Sequence, residues 1–336
     1  MSPIQQCIKN KDLKVKPIWI MRQAGRYLPE FRKIREKNSN FIELCLNKKL
    51  VPEITLQPLK RFDFDAAIIF SDILMVPYGL NQDVRFEKGY GPKLGELNLD
   101  LIEKVEIEYF EKRLSPIYQA IEEVKKNNLV LNKDLIGFIG APWTVLFYML
   151  NKKSPKKEIN FNKFLNDEIM VKKLITILEK FLKIHIKKQV DSGSTIIQIF
   201  DSWAGLLNNK QLEELVYEPT KRLVDYTKSL GVPVICFPRG IKDYKIFEKE
   251  TKPDVLNIDY MVDPNQISRD ISCVIQGGLD PKFLLMEKTD MKKEAIKYLK
   301  IFEEKPYIFN LGHGVLPETN PEMVDYLVKL VKEYGK

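Results

Sequence analysis

The chain has 336 residues, with charged residues at 30%, hydrophobic residues at 44% and a formal net charge of +8. That length builds a sizeable core in one large domain or two ordinary ones, and the composition is ordinary for a soluble globular protein. The positive charge is spread along the chain, often as lysine beside glutamate, with no dense basic block interleaved with aromatics, so nucleic acid is not expected as a partner.

In chain order, eight short apolar runs recur: Pro17–Met21, Ala66–Phe70, Leu135–Gly140, Thr195–Phe200, Pro233–Phe237, Val255–Asp259, Cys273–Gly277 and Tyr307–Leu311. Continuous apolar runs of this length suit strands buried on both faces of a parallel sheet. Each is followed by a loop rich in Gly, Pro, Asp or Ser. Longer stretches with helical spacing then follow over 41–62, 101–126, 161–190, 212–230, 241–250, 292–303 and 321–334. The segment Asn81–Leu97 reads as a loop or small hairpin. No repeat or Pro/Ser-rich linker divides the chain.

Eight alternations in one chain predict an α/β fold: a single-domain (β/α)8 barrel over residues 1–336, with its site at the C-terminal ends of the strands. A doubly wound open sheet would normally show a G-x-G-x-x-G turn after an early strand. Gly137-Phe138-Ile139-Gly140 does not fit that pattern.

Cys7, Cys45, Cys236 and Cys273 lie far apart, with no Cys-x-x-Cys pair, which predicts free thiols in a reducing compartment. The first residues lack the apolar core of a signal peptide. The uncharged stretch Leu135–Leu150 carries Gly137, Gly140 and Pro142 and falls short of the ~20 residues of a spanning helix. A cytoplasmic protein without a membrane span is the expectation.

Polar residues gather where the runs end. Arg22 and Arg26 leave the first run through Gly25. Two guanidinium forks at one strand mouth point to a ligand with several acidic groups; the same spacing fits surface charges, or pairing with Glu30. Ser71 and Asp72 follow the second run, where Asp72 is a buried carboxylate or simply a helix cap. Tyr148 lies one turn into the helix after the third run, as a pocket hydroxyl or a core tyrosine. Asp201 and Ser202 follow the fourth, Pro238 and Arg239 the fifth, Gly278 and Asp280 the seventh. His313 lies between Gly312 and Gly314 after the eighth. His185, mid-helix among lysines, reads as a solvated surface residue, and Arg32 and Arg35 as surface charges of the helix after Arg26. With two histidines and dispersed cysteines, no metal site is expected. No P-loop, Gly-x-Ser-x-Gly elbow or Schiff-base lysine is evident.

The block from Pro17 through Arg22-Gln23-Ala24-Gly25-Arg26 to Glu30 resembles the signature near the start of uroporphyrinogen decarboxylases. Thr55-Leu56-Gln57-Pro58 with Ala66–Leu74, Gly137–Thr144, Phe200–Gly205 and Phe309–Gly314 are similar to further blocks of that family. The resemblance implies a homodimeric (β/α)8 barrel that removes carbon dioxide from the four acetate side chains of uroporphyrinogen III. The product is coproporphyrinogen III of the haem pathway, and no metal or prosthetic group takes part. It implies that Arg22 and Arg26 hold substrate carboxylates and that Asp72 accepts hydrogen bonds from the pyrrole N–H groups. Tyr148, Ser202 and His313 would fix acetate or propionate groups, with Asp72, Arg22 and Tyr148 as the catalytic set. The loop Phe237-Pro238-Arg239-Gly240 departs from members that carry a lysine or extra glycines there, with Arg239 as the candidate replacement for that lysine. The rival reading is a corrinoid- or folate-linked methyltransferase of the same barrel superfamily, which would need thiolates on zinc.

Overall fold

The computed structural model of the chain describes residues 1–87, 90–154 and 167–334. In chain order its strands are β1 (Ala66–Ile68), β2 (Val84–Glu87), β3 (Gly91–Leu94), β4 (Asp134–Gly140), β5 (Ile196–Asp201), β6 (Val234–Pro238), β7 (Val255–Ile258), β8 (Val274–Gly277) and β9 (Tyr307–Ile308). β1 and β4 to β9 form one parallel sheet in sequential order. β2 and β3 form a separate antiparallel hairpin inside the stretch expected to hold one.

The first apolar run is not a full strand. It makes a single parallel bridge, Ile18 to Phe309. It nevertheless spans the gap between the two edges of the sheet. On one side Phe309 N donates to Pro17 O at 2.8 Å and Trp19 N to Phe309 O at 3.3 Å; on the other Asp65 N donates to Ile18 O at 2.9 Å. The Asp65 carboxylate also accepts from Ile18 N at 2.7 Å. A side chain here replaces a ladder bond, so the curled sheet closes through fewer backbone pairs than a regular strand would make.

Strands buried on both faces give the sheet two cores. Outward residues such as Ile197, Ile199, Leu256 and Ile275 pack on the surrounding helices. Inward residues form a second cluster that includes Trp19, Met21, Ile136, Ile196, Ile235, Val255, Val274 and Ile308. Midway up, three fully buried amides cross the barrel. Gln276 Oε1 accepts from Trp19 Nε1 at 2.9 Å, and Gln276 Nε2 donates to Asn257 and, at 3.3 Å, to Gln198. Above them Phe138, Phe200 and Phe237 meet edge to face, with ring centroids 5.7 and 6.3 Å apart.

The helix Pro3–Asn10 closes the lower end. Ser2 caps it by accepting from Gln5 N, Pro3 starts it, and Ile4, Cys7 and Ile8 join the barrel interior. Gln5 Nε2 ties it to the starts of β4 and β5, through Asp134 Oδ1 at 3.2 Å and Thr195 O at 3.3 Å.

The long helix Glu168–Asp191 contradicts the expectation for His185. Its ring is buried, 3.0 Å from the Tyr118 hydroxyl, and burial pushes its pKa down to about 3. Of the neighbouring lysines, Lys187 pairs with Asp191 and Lys188 with Glu111.

Candidate active site

Every loop that follows a strand of the parallel sheet opens at the same end of the barrel, above the three phenylalanines. Phe138 and Phe200 keep some contact with solvent there, as the floor of an open pocket should. This aromatic floor was not anticipated from the sequence. Its only signal is the period-two inward set, 136/138, 196/198/200 and 235/237, which doubly buried strands mask because both faces are apolar.

Arg22 takes a left-handed backbone conformation, φ +62°. This is strained for a non-glycine residue and held in place by its surroundings. Gln23 supplies part of that hold: its N donates to Ile20 O at 3.1 Å and its Nε2 to Ala66 O at 3.0 Å. The guanidinium is reached by solvent, yet enough protein surrounds it that burial lowers its pKa. Arg26 stands on the same turn. The alternative pairing with Glu30 is ruled out, because Arg61 takes both Glu30 oxygens at 3.0 and 3.1 Å. Arg22, Arg26 and Arg239 make no ion pair among the described residues, and their charges act on one another: both Arg26 and Arg239 depress the protonation of Arg22.

Asp72 faces them. Thr55 Oγ1 accepts from Phe70 N at 3.0 Å, which fixes the end of the second run and so the start of the Ser71–Asp72 turn. One Asp72 oxygen accepts from Leu74 N at 2.9 Å and closes the turn before the helix Met75–Gly79, whose N-cap is Leu74 without a side-chain cap, so Asp72 is not the helix cap. Burial raises Asp72 to about 6, against the opposing pull of the Leu74 N–H and of Arg22. Asp72 and Arg22 feel each other's charge without closing to an ion pair.

Tyr148 reaches the same region from the helix Pro142–Asn151, whose Pro142 starts it straight after β4. Burial raises its hydroxyl pKa, and both Asp72 and Arg22 are near enough to act on it. Its ring meets Trp203 edge-on at 6.0 Å, beside Ser202. Asp201 is turned outward instead: Thr144 Oγ1 donates to it at 2.5 Å and accepts from Trp203 N at 3.1 Å. Burial pushes Asp201 up to about 7.

The loops after β5, β6 and β7 lock together. Arg239 N donates to Asp201 O at 3.0 Å, Gly205 N to Arg239 O at 3.0 Å, and Gly240 N to Asp259 Oδ2 at 2.8 Å. A Cβ at Gly205 would drive into the Gly240 carbonyl. His313 sits opposite Arg239. Burial, then Arg22 and Arg239, push it down to about 4, so the ring is neutral near pH 7. Two guanidiniums beside it also make this a poor place for a metal cation.

The structure therefore brings Arg22, Arg26, Asp72, Tyr148, Arg239 and His313 to one mouth. Ser202 stands next to them on the β5 loop, and Gly278 and Asp280 serve the barrel rim, where Asp280 caps the turn Pro281–Leu285. Arg32 is not a mere surface charge, since its Nη1 bonds the carbonyls of Arg26 and Tyr27.

The model of the family described as uroporphyrinogen decarboxylase (URO-D) matches residues 1–334. The chain belongs to the uroporphyrinogen decarboxylase family. It is 40% identical to the uroporphyrinogen decarboxylase of Rickettsia felis, covering 99% of this chain and 97% of that protein. It is also 40% identical to that of Rickettsia bellii, covering 99% of both. Among solved structures, a methyltransferase from Methanosarcina mazei superposes with a TM-score of 0.77 at 14% identity, over 99% of this chain and 98% of that one. That likeness shows a shared barrel fold. In the uroporphyrinogen decarboxylase barrel described here, no group of three or more His, Cys, Asp or Glu among the described residues is arranged to hold a metal ion.

Proposed function

We propose that this chain decarboxylates the four acetate side chains of uroporphyrinogen III to give coproporphyrinogen III in haem biosynthesis, working as a single barrel domain. The observation that carries this is the group of three guanidiniums, Arg22, Arg26 and Arg239, with no ion pair among the described residues and with Arg22 at its centre facing the buried carboxylate Asp72, over an aromatic floor. A ring of four methylene-bridged pyrroles with carboxylates on its rim and N–H groups at its centre fits that layout.

The chemistry follows from the charges. Protonation of a pyrrole ring carbon makes a cationic ring. The bond between the acetate methylene and its carboxylate then breaks, carbon dioxide leaves, and the electron pair moves into the ring as an exocyclic methylene. That methylene takes up a proton to become the methyl group, and the ring carbon gives its proton back. The electron sink lies within the substrate, so no cofactor is needed. Asp72, ionised above about pH 6, accepts from the pyrrole N–H groups and stabilises the cation in a site shielded from water. Arg22 and Arg26 grip the carboxylates in two-point contacts and hold the macrocycle still. Tyr148 stays protonated and His313 neutral, so both act as hydrogen-bonding groups for side-chain carboxylates, with Ser202 beside them.

We further propose a homodimer in the cytoplasm, with the two mouths facing. Exposed Leu206, Met261 and Met286 (40, 78 and 47% accessible) lie on loops after β5, β7 and β8, all at that rim. The four cysteines are free thiols, as a reducing compartment requires. Sedimentation at micromolar concentration checks the stoichiometry; a monomer overturns the dimer.

The deciding assay is anaerobic incubation with reduced uroporphyrinogen, followed by oxidation and separation of products by carboxylate count. Stepwise loss down to coproporphyrin is expected. Binding of the porphyrinogen without carbon dioxide release would make the chain a carrier and overturn the proposal.

A further inference from the structure

The turn that carries Arg22 and Arg26 is held at its two ends by unrelated devices. At the first end the holds come from the barrel: buried Gln23 reaches across to Ala66 O at 3.0 Å, and the Arg22 side chain runs against Gly314. At the second end the barrel contributes no hydrogen bond to the Arg26 backbone among the described residues. The Arg26 carbonyl is taken by Arg32 Nη1 at 2.8 Å, and the same nitrogen takes the Tyr27 carbonyl at 3.0 Å. Leu28 N to Gly25 O at 3.0 Å completes the bend.

Arg32 makes no ion pair among the described residues: its charge reaches Glu30 only at a distance, both Glu30 oxygens being held by Arg61, and its side chain is exposed. It lies near the start of the helix Pro29–Lys37, where a cation opposes the helix dipole. Leu28, at the N-cap, makes no side-chain cap. Neither helix stability nor an ion pair explains an arginine at this position. Its two bonds to carbonyls of the preceding turn do.

We propose that Arg32 is a positioning residue for Arg26: it fixes the backbone from which Arg26 reaches a substrate carboxylate, and Arg22 is held independently of it. The inference rests on the reading that Arg26 binds such a carboxylate. Loss of Arg32 leaves Asp72 and Arg22 where they are, so binding weakens while the chemical step is kept. Lysine at 32 carries an ammonium with three donors and serves the same two carbonyls; methionine keeps the stem and serves neither.

The test compares kcat and KM toward reduced uroporphyrinogen for Arg32→Met, Arg32→Lys, Arg26→Met and the Arg26→Met/Arg32→Met double variant, with thermal midpoints. Arg32→Met is expected to raise KM about tenfold, the scale of a charge-assisted hydrogen bond, with kcat within about twofold of the parent. Arg32→Lys should recover most of that loss, and the double variant should match Arg26→Met alone. KM losses that multiply in the double variant would overturn the proposal. So would an Arg32→Met that lowers the midpoint while KM stays unchanged. Should Arg32→Met not fold, Arg32→Lys and Arg32→Gln carry the same comparison, with glutamine expected to lie between lysine and the loss predicted for methionine. Normal binding by Arg26→Met would overturn the underlying clamp reading instead, and this inference with it.

Discussion

Gly314 lies directly against the side chain of Arg22: a Cβ at 314 would stand 2.7 Å from Arg22 Cγ and 2.9 Å from Nε. The loop after β9 is thus shaped around an arginine that belongs to the other end of the sequence. Because Arg22 also carries φ +62°, it is fixed by its backbone from one side and by a missing side chain from the other.

Gly314→Ala should therefore act as a variant of Arg22. The methyl pushes the guanidinium aside by roughly an ångström, a displacement that typically costs about 10² in turnover efficiency. The measurement is kcat/KM together with a thermal midpoint. A folded Gly314→Ala with parental kcat/KM would show that the Arg22 position is not critical.

Arg22→Lys should harm activity nearly as much as Arg22→Ala, because the charge remains but the planar fork is lost. Leaving a buried substrate carboxylate without its partner should cost about 3–5 kcal/mol of transition-state stabilisation. Arg22→Gly gives the complementary result. It relieves the left-handed strain, so it should stabilise the fold by about 1 kcal/mol while abolishing activity. Denaturant unfolding and steady-state assays on the three variants separate the two effects. An Arg22→Gly less stable than the parent would contradict the strain argument.

Asp72→Asn should retain the fold, since an asparagine oxygen can still accept from Leu74 N, and lose about 10²–10³ in turnover. In the parent enzyme kcat/KM should fall as pH drops through about 6, where Asp72 takes up a proton. His313, pushed down to about 4, does not contribute to that limb. The limb should persist in Asp201→Asn and vanish from the residual activity of Asp72→Asn. Stability shifts in the opposite sense. Raised from an ordinary 3.8, the Asp72 carboxyl stabilises the fold while protonated, and that contribution is lost as pH rises through about 6. Asp72→Asn should hence unfold at higher temperature than the parent at pH 8, with the gap narrowing toward pH 5. A gap that widens on acidification would reverse the assignment.

Activity should survive chelation and exhaustive dialysis and gain nothing from added zinc, flavin, pyridoxal phosphate or nicotinamide, because the protonated pyrrole is its own electron sink. Turnover measured before and after treatment checks this; a loss that zinc restores would favour thiol-activating methyl transfer.

What the sequence disclosed depended on whether a structural role leaves a partner type behind it. Strands buried on both faces must be apolar throughout, so all seven sheet strands begin within a residue of an apolar run. The run Pro17–Met21 looked the same, but one of its two hydrogen bonds with Asp65 is made by the carboxylate, which no apolar pattern encodes. The N-terminal plug did carry a signal: Ser2 and Pro3 at a helix start, then Ile4, Cys7 and Ile8 at helical spacing. His185 was misjudged because neighbouring lysines say nothing about the face between them. Arg32 bonds only to carbonyls, and every residue has one, so its role has no sequence signature at all. The site residues were easier to see because ionisable groups at the ends of apolar runs are conspicuous, whereas the outward turn of Asp201 depends on the register of β5.

The helix Pro3–Asn10 seals the barrel from below, and the crossing amides and the aromatic floor fill it above that seal. Catalysis thus takes place in a blind well. Substrate, carbon dioxide and every partly processed macrocycle share one opening, and, with Asp72 in the role proposed above, a ring with four sites to react presents each of them to the same fixed carboxylate. After each loss the macrocycle must turn within the well or leave and re-enter in a new orientation. The pace of successive steps is then set by rotation and exchange at the rim as much as by the chemistry on the floor.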